Sequence, residues 1–401
     1  MSPLSAFENT LASGRDWQRD LYIHFHQNPE LSMQEEETAA RIERELADMG
    51  LETQRIGTTG VVAVIENGQG PVLLSRADID ALPVTEQTGL EYASQRDGVM
   101  HACGHDFHMT SLLGAVRALL AHREAWSGTL IALFQPGEET AEGAQAMVDD
   151  DLVSKIPKPD VAVAQHVLPG EAGVIGVATG PILSQGDSMR VTIYGKGSHG
   201  SMPHLAIDPV VIASSIVVRL QSVVSRVVAP SDFSVVTVGA INAGTKSNII
   251  PDTAELMLNL RHYDPEVRTA VLAAVERIIR AECEASGCEQ EPDIEYYDQF
   301  PLTHNSGEVT DVLRAAFTNA FGEERVFTQP PATASEDFSR IPDAFGIPYS
   351  YWTVGGFEKG SPMPGNHSPF FGPVLQPTLD AMTQAQVVAA LAVLGRPSEP
   401  R

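Results

Sequence analysis

The segment Gly70–Ala81, GPVLLSRADIDA, passes within a few residues from a short apolar run to two aspartates, Asp78 and Asp80. A run this short and this apolar reads as a strand buried on both faces, and the aspartates mark where it leaves the core. The same pattern recurs on either side. GVVAVIE (60–66) precedes it. The helical stretch HMTSLLGAVRALLAHREAW (108–126), the strand GTLIALFQPGEE (128–139), a helix near AEGAQAMVDDDLV (141–153) and the strand DVAVAQHV (160–167) follow. Strands alternating with helices predict an α/β fold with a mostly parallel sheet and helices on both faces. Glu138 and Glu139 close one run and His166 another, and ligands of open α/β sheets bind at the carboxyl ends of strands. The order of the sequence thus predicts that these polar residues converge.

From about Ser188 the order changes to strand SMRVTIYG, helix DPVVIASSIVVRLQSVVSR, strands SDFSVVTVGAIN and TAELMLNLRHY, helix PEVRTAVLAAVERIIRAECEAS and strand DIEYYDQF. This βαββαβ succession predicts a ferredoxin-like domain inserted into the first. Beyond Pro301 the helix SGEVTDVLRAAFTNAFG, the strand-like IPYSYWTVGG and the helix LDAMTQAQVVAALAVLG return to the earlier character. The expected division is 1–186 and 301–401 for the catalytic domain and 187–300 for the insert.

At 401 residues, 43% of them hydrophobic, the chain has enough apolar surface for two cores. A formal net charge of −26 repels nucleic acid and anionic membranes, which leaves small molecules or other proteins as partners. The N-terminus lacks a basic segment followed by an apolar run, and no stretch reaches about 18 uninterrupted apolar residues, so a cytoplasmic location is expected. Cys103, Cys283 and Cys288 make no disulfide framework. Cys283 and Cys288 read as packing residues within one helix.

The densest chemistry lies in MHACGHDFHM (100–109). One glycine between Cys103 and His105 permits a tight turn that aims thiolate and imidazole at one point, a donor pair suited to Zn²⁺ or Mn²⁺-like ions. His101, Asp106 and His108 read as neighbours that fix a ligand histidine's tautomer. Glu138 and Glu139 project differently from a strand end, so one can bind metal while the other holds an attacking water, as metal-assisted hydrolysis requires. His166 and His367, in PGNHSPFF, complete the candidate donors. A rival chemistry makes Cys103 a nucleophile ahead of a helix N-terminus, but it leaves the glutamate pair unused.

The blocks RADIDALPV, MHACGHDFH, FQPGEE, AQHV, GKGSHGSMPH, SNIIPD, SEDF and GNHSPFF, in this order, resemble the dinuclear metal amidohydrolases. That family includes hippurate hydrolase, bacterial N-acyl-amino-acid aminoacylases and plant auxin-conjugate hydrolases, relatives of carboxypeptidase G. Several blocks are similar to those of actinobacterial aminoacylases that cleave N-acyl-glutamine. The resemblance implies two divalent ions, Zn or Mn and alternatively Co or Ni, bridged by Cys103. His105 and Glu139 would complete one site and His166 and His367 the other. It further implies Glu138 as general base, with Asp80 and Glu336 in supporting roles. Asp78 stands where more distant relatives carry a histidine ligand. In the inserted lid domain the resemblance implies that His199 stabilises the oxyanion across a homodimer, and that Asn248 and Arg261 bind the carboxylate of the amino acid. Ser198 departs from the second glycine common before that histidine. The implied reaction is hydrolysis of an N-acyl amino acid to a carboxylic acid and a free amino acid. The alternatives are a dipeptidase or carboxypeptidase on the same scaffold, and an inactive amino-acid-binding protein.

Overall fold

Strand Val72–Asp78 lies at the centre of an eight-stranded sheet in the computed structural model, which describes residues 4–395. It pairs in parallel with Gly128–Gln135 on one side and Val161–Glu171 on the other, in registers that set Asp78 opposite Gln135 and Ser75 opposite Val163. Tyr349–Phe357 continues the parallel set next to Val161–Glu171. Antiparallel pairing enters at Gly60–Asn67 against Gly128–Gln135 and at Ile175–Val177 against Tyr349–Phe357. The short strands Gln54–Ile56 and Val326–Thr328 form the edges. The sheet is therefore mostly parallel, as expected from the alternating strands and helices.

Its central strands are buried on both faces. Leu73, Ala77, Leu130, Ala132 and Val163 join one core with Phe107, Leu112 and Val116 of helix His105–Ala121 and with Ala385 and Val388 of helix Leu375–Leu394. Leu74, Ile131, Leu133 and Ala164 alternate with them onto the other face and are equally inaccessible. This double burial explains why these strands read as continuous apolar runs.

The chain forms two compact units. One comprises Met1–Ile182, Thr303–Pro331 and Asp337–Arg401, and the other Leu183–Leu302 with Ala332–Glu336. The second unit holds a four-stranded antiparallel sheet in the spatial order Ser234–Ala243, Thr253–His262, Gln185–Tyr194, Asp293–Phe300. Helices Pro209–Arg226 and Pro265–Ala285 are capped by Asp208, which accepts the Val210 amide, and by Asp264, which accepts the Glu266 and Val267 amides. Ile212, Ile216 and Leu220 of the first helix and Val271, Val275 and Ile279 of the second pack with Met189, Val191, Leu256 and Leu258 of the sheet. Pro209–Arg226 is long and apolar enough to cross a membrane by length and composition, with mean hydropathy 1.2. One of its faces fills this core, while Val211 and Val218 on the other are 60% and 75% exposed.

Candidate active site

The site builds up at the carboxyl ends of the central parallel strands. Gly104, between Cys103 and His105, is the first element. Its φ of +83° lies in the left-handed region, and a Cβ there would meet Val167 Cγ1 at 2.3 Å. Only glycine lets the chain turn here and start helix His105–Ala121 with Cys103 and His105 on the same side.

Two ligand-type histidines have their ring orientation fixed. His166 donates from Nδ1 to the Val167 carbonyl at 2.7 Å, which directs Nε2 at Cys103 Sγ, 3.4 Å away. His105 directs Nδ1 at the Asp80 carbonyl (3.0 Å) and carboxylate (3.1 Å). Its Nε2 lies 3.7 Å from Glu139 and 3.9 Å from Glu138, yet hydrogen-bonds to nothing. Glu139 Oε1 is likewise buried without a hydrogen bond among the described residues, while its Oε2 approaches His367 Nε2 at 3.2 Å. His367 is the exposed member, its side chain 55% accessible, and its amide is tied to the Ala102 carbonyl at 2.8 Å. Asp80 also accepts the Glu139 amide (3.0 Å) and the Ser32 hydroxyl (2.7 Å), so one carboxylate fixes both His105 and the Glu138–Glu139 turn.

Cys103, Glu139 and His367 bring ligand atoms within 4.8 Å of one another, and so do Asp78, His105, His108 and His166. In the second group Asp78 is committed elsewhere. Its carboxylate takes Arg76 Nη1 at 2.7 Å and a short bond to His108 Nδ1, and His108 Nε2 receives the Val167 amide at 2.9 Å. Asp78 and His108 are therefore supports, and His105 and His166 remain as donors. His105, Glu138 and Glu139 likewise bring ligand atoms within 4.8 Å of one another, so Glu139 neighbours both His105 and His367, while His166 faces Cys103.

The electrostatics favour a bound cation. Burial works against a charged His105, but Asp78, Asp80 and Glu139 prevail and push it up to about 10. Burial, then the charges of Glu139, Glu138 and Asp78, push the Cys103 thiol well above its usual range. Burial and the neighbouring His108 hold His166 well below its own. A 3.4 Å Cys–His contact would suit a nucleophilic pair, but these shifts oppose the thiolate–imidazolium form that pair needs. Soft and borderline donors with orphaned, inward-facing atoms, set in an acidic pocket, fit divalent metal ions.

Two supporting residues differ from expectation. Asp106 turns to His26 at 2.6 Å rather than to a ligand histidine, because one step along a helix rotates its side chain about 100° from that of His105. His101 is buried with neither ring nitrogen hydrogen-bonded. Burial lowers its pKa to about 4, so it packs as a neutral ring. The tautomer-fixing role falls to Asp80 and the Val167 carbonyl. Residues without a local sequence signal also contribute. Asn366 contacts the Cys103 carbonyl (3.3 Å) and Sγ (3.6 Å). Glu35 holds the Gly137 amide (2.8 Å) just ahead of Glu138. Asp337 braces Gln135 (2.6 Å) and the Ala144 amide (3.0 Å).

The remaining candidates lie in the second unit. Ser198–His199 pairs with Ile249–Ile250, and the Gly200 amide bonds to the Asn248 carbonyl at 2.8 Å, so His199 and Asn248 share one small ribbon. His199 is exposed, with Nδ1 at 2.8 Å from Ser201 Oγ. Arg261 directs Nε to Asn259 Oδ1 (2.8 Å) and Nη1 to Ser335 Oγ, and has no carboxylate within ion-pair reach among the described residues. Glu336 is buried and belongs to the segment Ala332–Glu336 of this unit.

Comparison with known proteins accords with this chemistry. Residues 74–391 match the model of peptidase family M20/M25/M40. The chain is 38% identical to an N-acetyl-L-cysteine deacetylase of Bacillus subtilis over 335 residues, 81% of this chain and 78% of that one. It is 39% identical to the hippurate hydrolase of Campylobacter jejuni over 317 residues, 78% and 82% of the two chains. A crystal structure of the Bacillus subtilis YxeP protein, described as a dinuclear metal-binding peptidase of family M20, superposes with a TM-score of 0.75 at 31% identity, covering 97% and 98% of the chains. The fold, the inward-facing donor cluster and this similarity together place the chain in peptidase family M20/M25/M40, as a hydrolase of amide bonds.

Proposed function

We propose that this protein hydrolyses N-acyl amino acids, releasing a carboxylic acid and a free amino acid, with two divalent metal ions held by its large unit. The observation that carries the reading is the buried set Cys103, His105, Glu139 and His166, in which His105 Nε2 and Glu139 Oε1 lie 3.7 Å apart without hydrogen-bond partners among the described residues. Cys103 would be shared between the ions, with His105 and Glu139 around one and His166 and His367 around the other. Zn²⁺ and Mn²⁺ suit this mixed sulfur, nitrogen and oxygen set, and Co²⁺ or Ni²⁺ can replace them. Such ions, when bound, polarise the amide carbonyl and acidify a water.

The chain's own residues supply the rest. Glu138, held at a strand end beside His105, takes a proton from the attacking water and passes it to the leaving nitrogen. Arg261, braced by Asn259 and Ser335 and with no carboxylate in ion-pair reach among the described residues, takes the carboxylate of the amino-acid portion together with Asn248. His199 donates to the developing oxyanion. Glu336 is proposed as a supporting acid near the centre. The division of labour follows the domain scheme of 1–186 with 301–401 for chemistry and 187–300 as lid. The exposed valine face of Pro209–Arg226 supports assembly as a homodimer through that lid, with His199 contributed across the dimer. Three free cysteines accord with a reducing, cytoplasmic location.

The test is hydrolysis of N-acetyl, N-benzoyl and long-chain N-acyl amino acids beside dipeptides with a free amine, using chelator-stripped protein and protein with Zn²⁺ or Mn²⁺ restored. Metal-dependent release of amino acid from the acylated substrates is expected. Preference for free-amine dipeptides would make it a dipeptidase. Turnover that survives metal removal but is lost on alkylation would make Cys103 a nucleophile.

A further inference from the structure

Cys283 and Cys288 do not share a helix, contrary to the sequence expectation: helix Pro265–Ala285 ends before Cys288, and the reason lies in the turn that ends it. Gly287 adopts φ +79°, in the left-handed region, and its amide bonds to the Glu284 carbonyl at 3.0 Å. The Cys288 amide then reaches back to the Cys283 carbonyl at 3.1 Å. This is a Schellman-type helix end, a turn whose first and last residues press their side chains together. In most proteins that contact is between two apolar residues. Here both are cysteine.

Cys283 is 2% exposed and belongs to the core of the second unit, while Cys288 is half-buried and packs against it. A disulfide requires α-carbons about 4.4–6.8 Å apart with side chains converging. Two residues joined by an amide–carbonyl bond across a closed turn, with side chains packed in the same core, are placed for such a bridge without unwinding the helix. Burial, followed by the neighbouring Cys288, pushes the Cys283 thiol up to about 12, so Cys283 does not react first. Cys288 is the accessible thiol of the pair.

We propose that Cys283 and Cys288 form a redox-active thiol pair, a modification site that closes to an internal disulfide on meeting a small-molecule disulfide such as oxidised glutathione. Cys288 sulfur attacks one sulfur of the oxidant, forming a mixed disulfide and releasing one molecule of the small thiol. Cys283 sulfur then attacks Cys288 sulfur, its proton passing to the second departing thiolate. The pair loses two electrons and two protons, and the oxidant becomes two thiols. The bridge spans only a few residues, so it adds little conformational restraint. Its effect is to withdraw the accessible Cys288 from lasting adducts and from irreversible oxidation.

Trypsin leaves both cysteines in the peptide Ala281–Arg314 and Cys103 in Asp97–Arg117, so the two sites are read separately in one digest. Full-length, metal-loaded protein is treated with oxidised glutathione, denatured, alkylated with iodoacetamide and analysed by mass spectrometry. The expected result is a peptide Ala281–Arg314 lighter by two hydrogens and not alkylated until reduced. In Cys283→Ser, glutathione should remain attached to Cys288. A wild-type peptide that keeps glutathione on Cys288, or that is alkylated at both thiols after treatment, would overturn the proposal. The wild-type measurement stands even if the variant folds poorly.

Discussion

The candidate residues of the two units are held in opposite ways. In the large unit His105 and His166 are enclosed, and each has one ring nitrogen already committed, to Asp80 and to the Val167 carbonyl. In the small unit His199 and Asn248 sit exposed at a ribbon of two residues per strand, where the His199 ring bonds to the nearby Ser201. The first set is organised before any ligand arrives, at the cost of burying several like charges. The second set is available without being fixed. Groups that hold metal need the first kind of placement. Groups that meet a substrate and then release it suit the second.

The largest expected effect separates chemistry from metal retention inside the braced set. Glu138→Gln should lower kcat by about 10²–10⁴-fold, the range for a lost general base, with metal content by elemental analysis unchanged. Loss of metal along with turnover would mean that Glu138 helps hold the ions, and the division between donors and base would fail. His199→Ala comes next, with kcat expected to fall about 10²–10³-fold, as for a removed oxyanion donor, and with both metal content and thermal stability intact. A fall in Tm comparable to that of a core substitution would show His199 to be structural and would erase the contrast between the units.

A smaller and more selective effect is expected at Arg261→Lys. A lysine keeps the charge but loses the planar fork that Asn259 and Ser335 orient, so KM for N-acyl amino acids should rise about tenfold while kcat changes little. The matched control is the N-acyl amine that lacks the carboxylate, for which wild type and variant should behave alike. A parallel loss on both substrates would place Arg261 in the framework of the sheet rather than at the substrate.

Much of this arrangement was legible in the sequence for a physical reason. Strands buried on both faces are largely apolar, so the runs 72–74 and 162–164 announce themselves, and the polar residues after them mark the functional edge. Cys103 and His105 flank a glycine that the turn requires, and that constraint is local. What stayed hidden was long-range. Glu35 reaches Gly137 and Asn366 reaches Cys103 across more than a hundred residues, and no periodicity connects them. Asp106 misled because adjacency to His105 in sequence places it on a different side of the helix, and Cys288 because the helix ends before it, in a turn that a single glycine makes.

Asp106 leads to the smallest effect on activity and the clearest pH signature. His26 lies between Asp106 at 2.6 Å and Glu86 at 3.3 Å and ties helix Glu8–Gln27 to the first turn of the helix that carries His105. Burial disfavours its charge, but hydrogen bonds to the two carboxylates outweigh burial and push His26 up to about 9. The ordinary histidine value is about 6.5, so its stabilising contribution is fully present below that pH and is lost as pH rises through about 9. Asp106 and Glu86 are held below their usual values, despite burial, by the same contacts, and their contribution is lost at the acid end as pH falls through their lowered values. The His26 share of stability should therefore decline between about pH 7 and 10 by on the order of 3 kcal/mol, and His26→Gln should show a correspondingly shallower alkaline decline than wild type. Tm measured across this range for both proteins checks it. Parallel curves would mean that His26 is neutral in the folded protein, and the brace behind His105 would then be one of packing rather than charge.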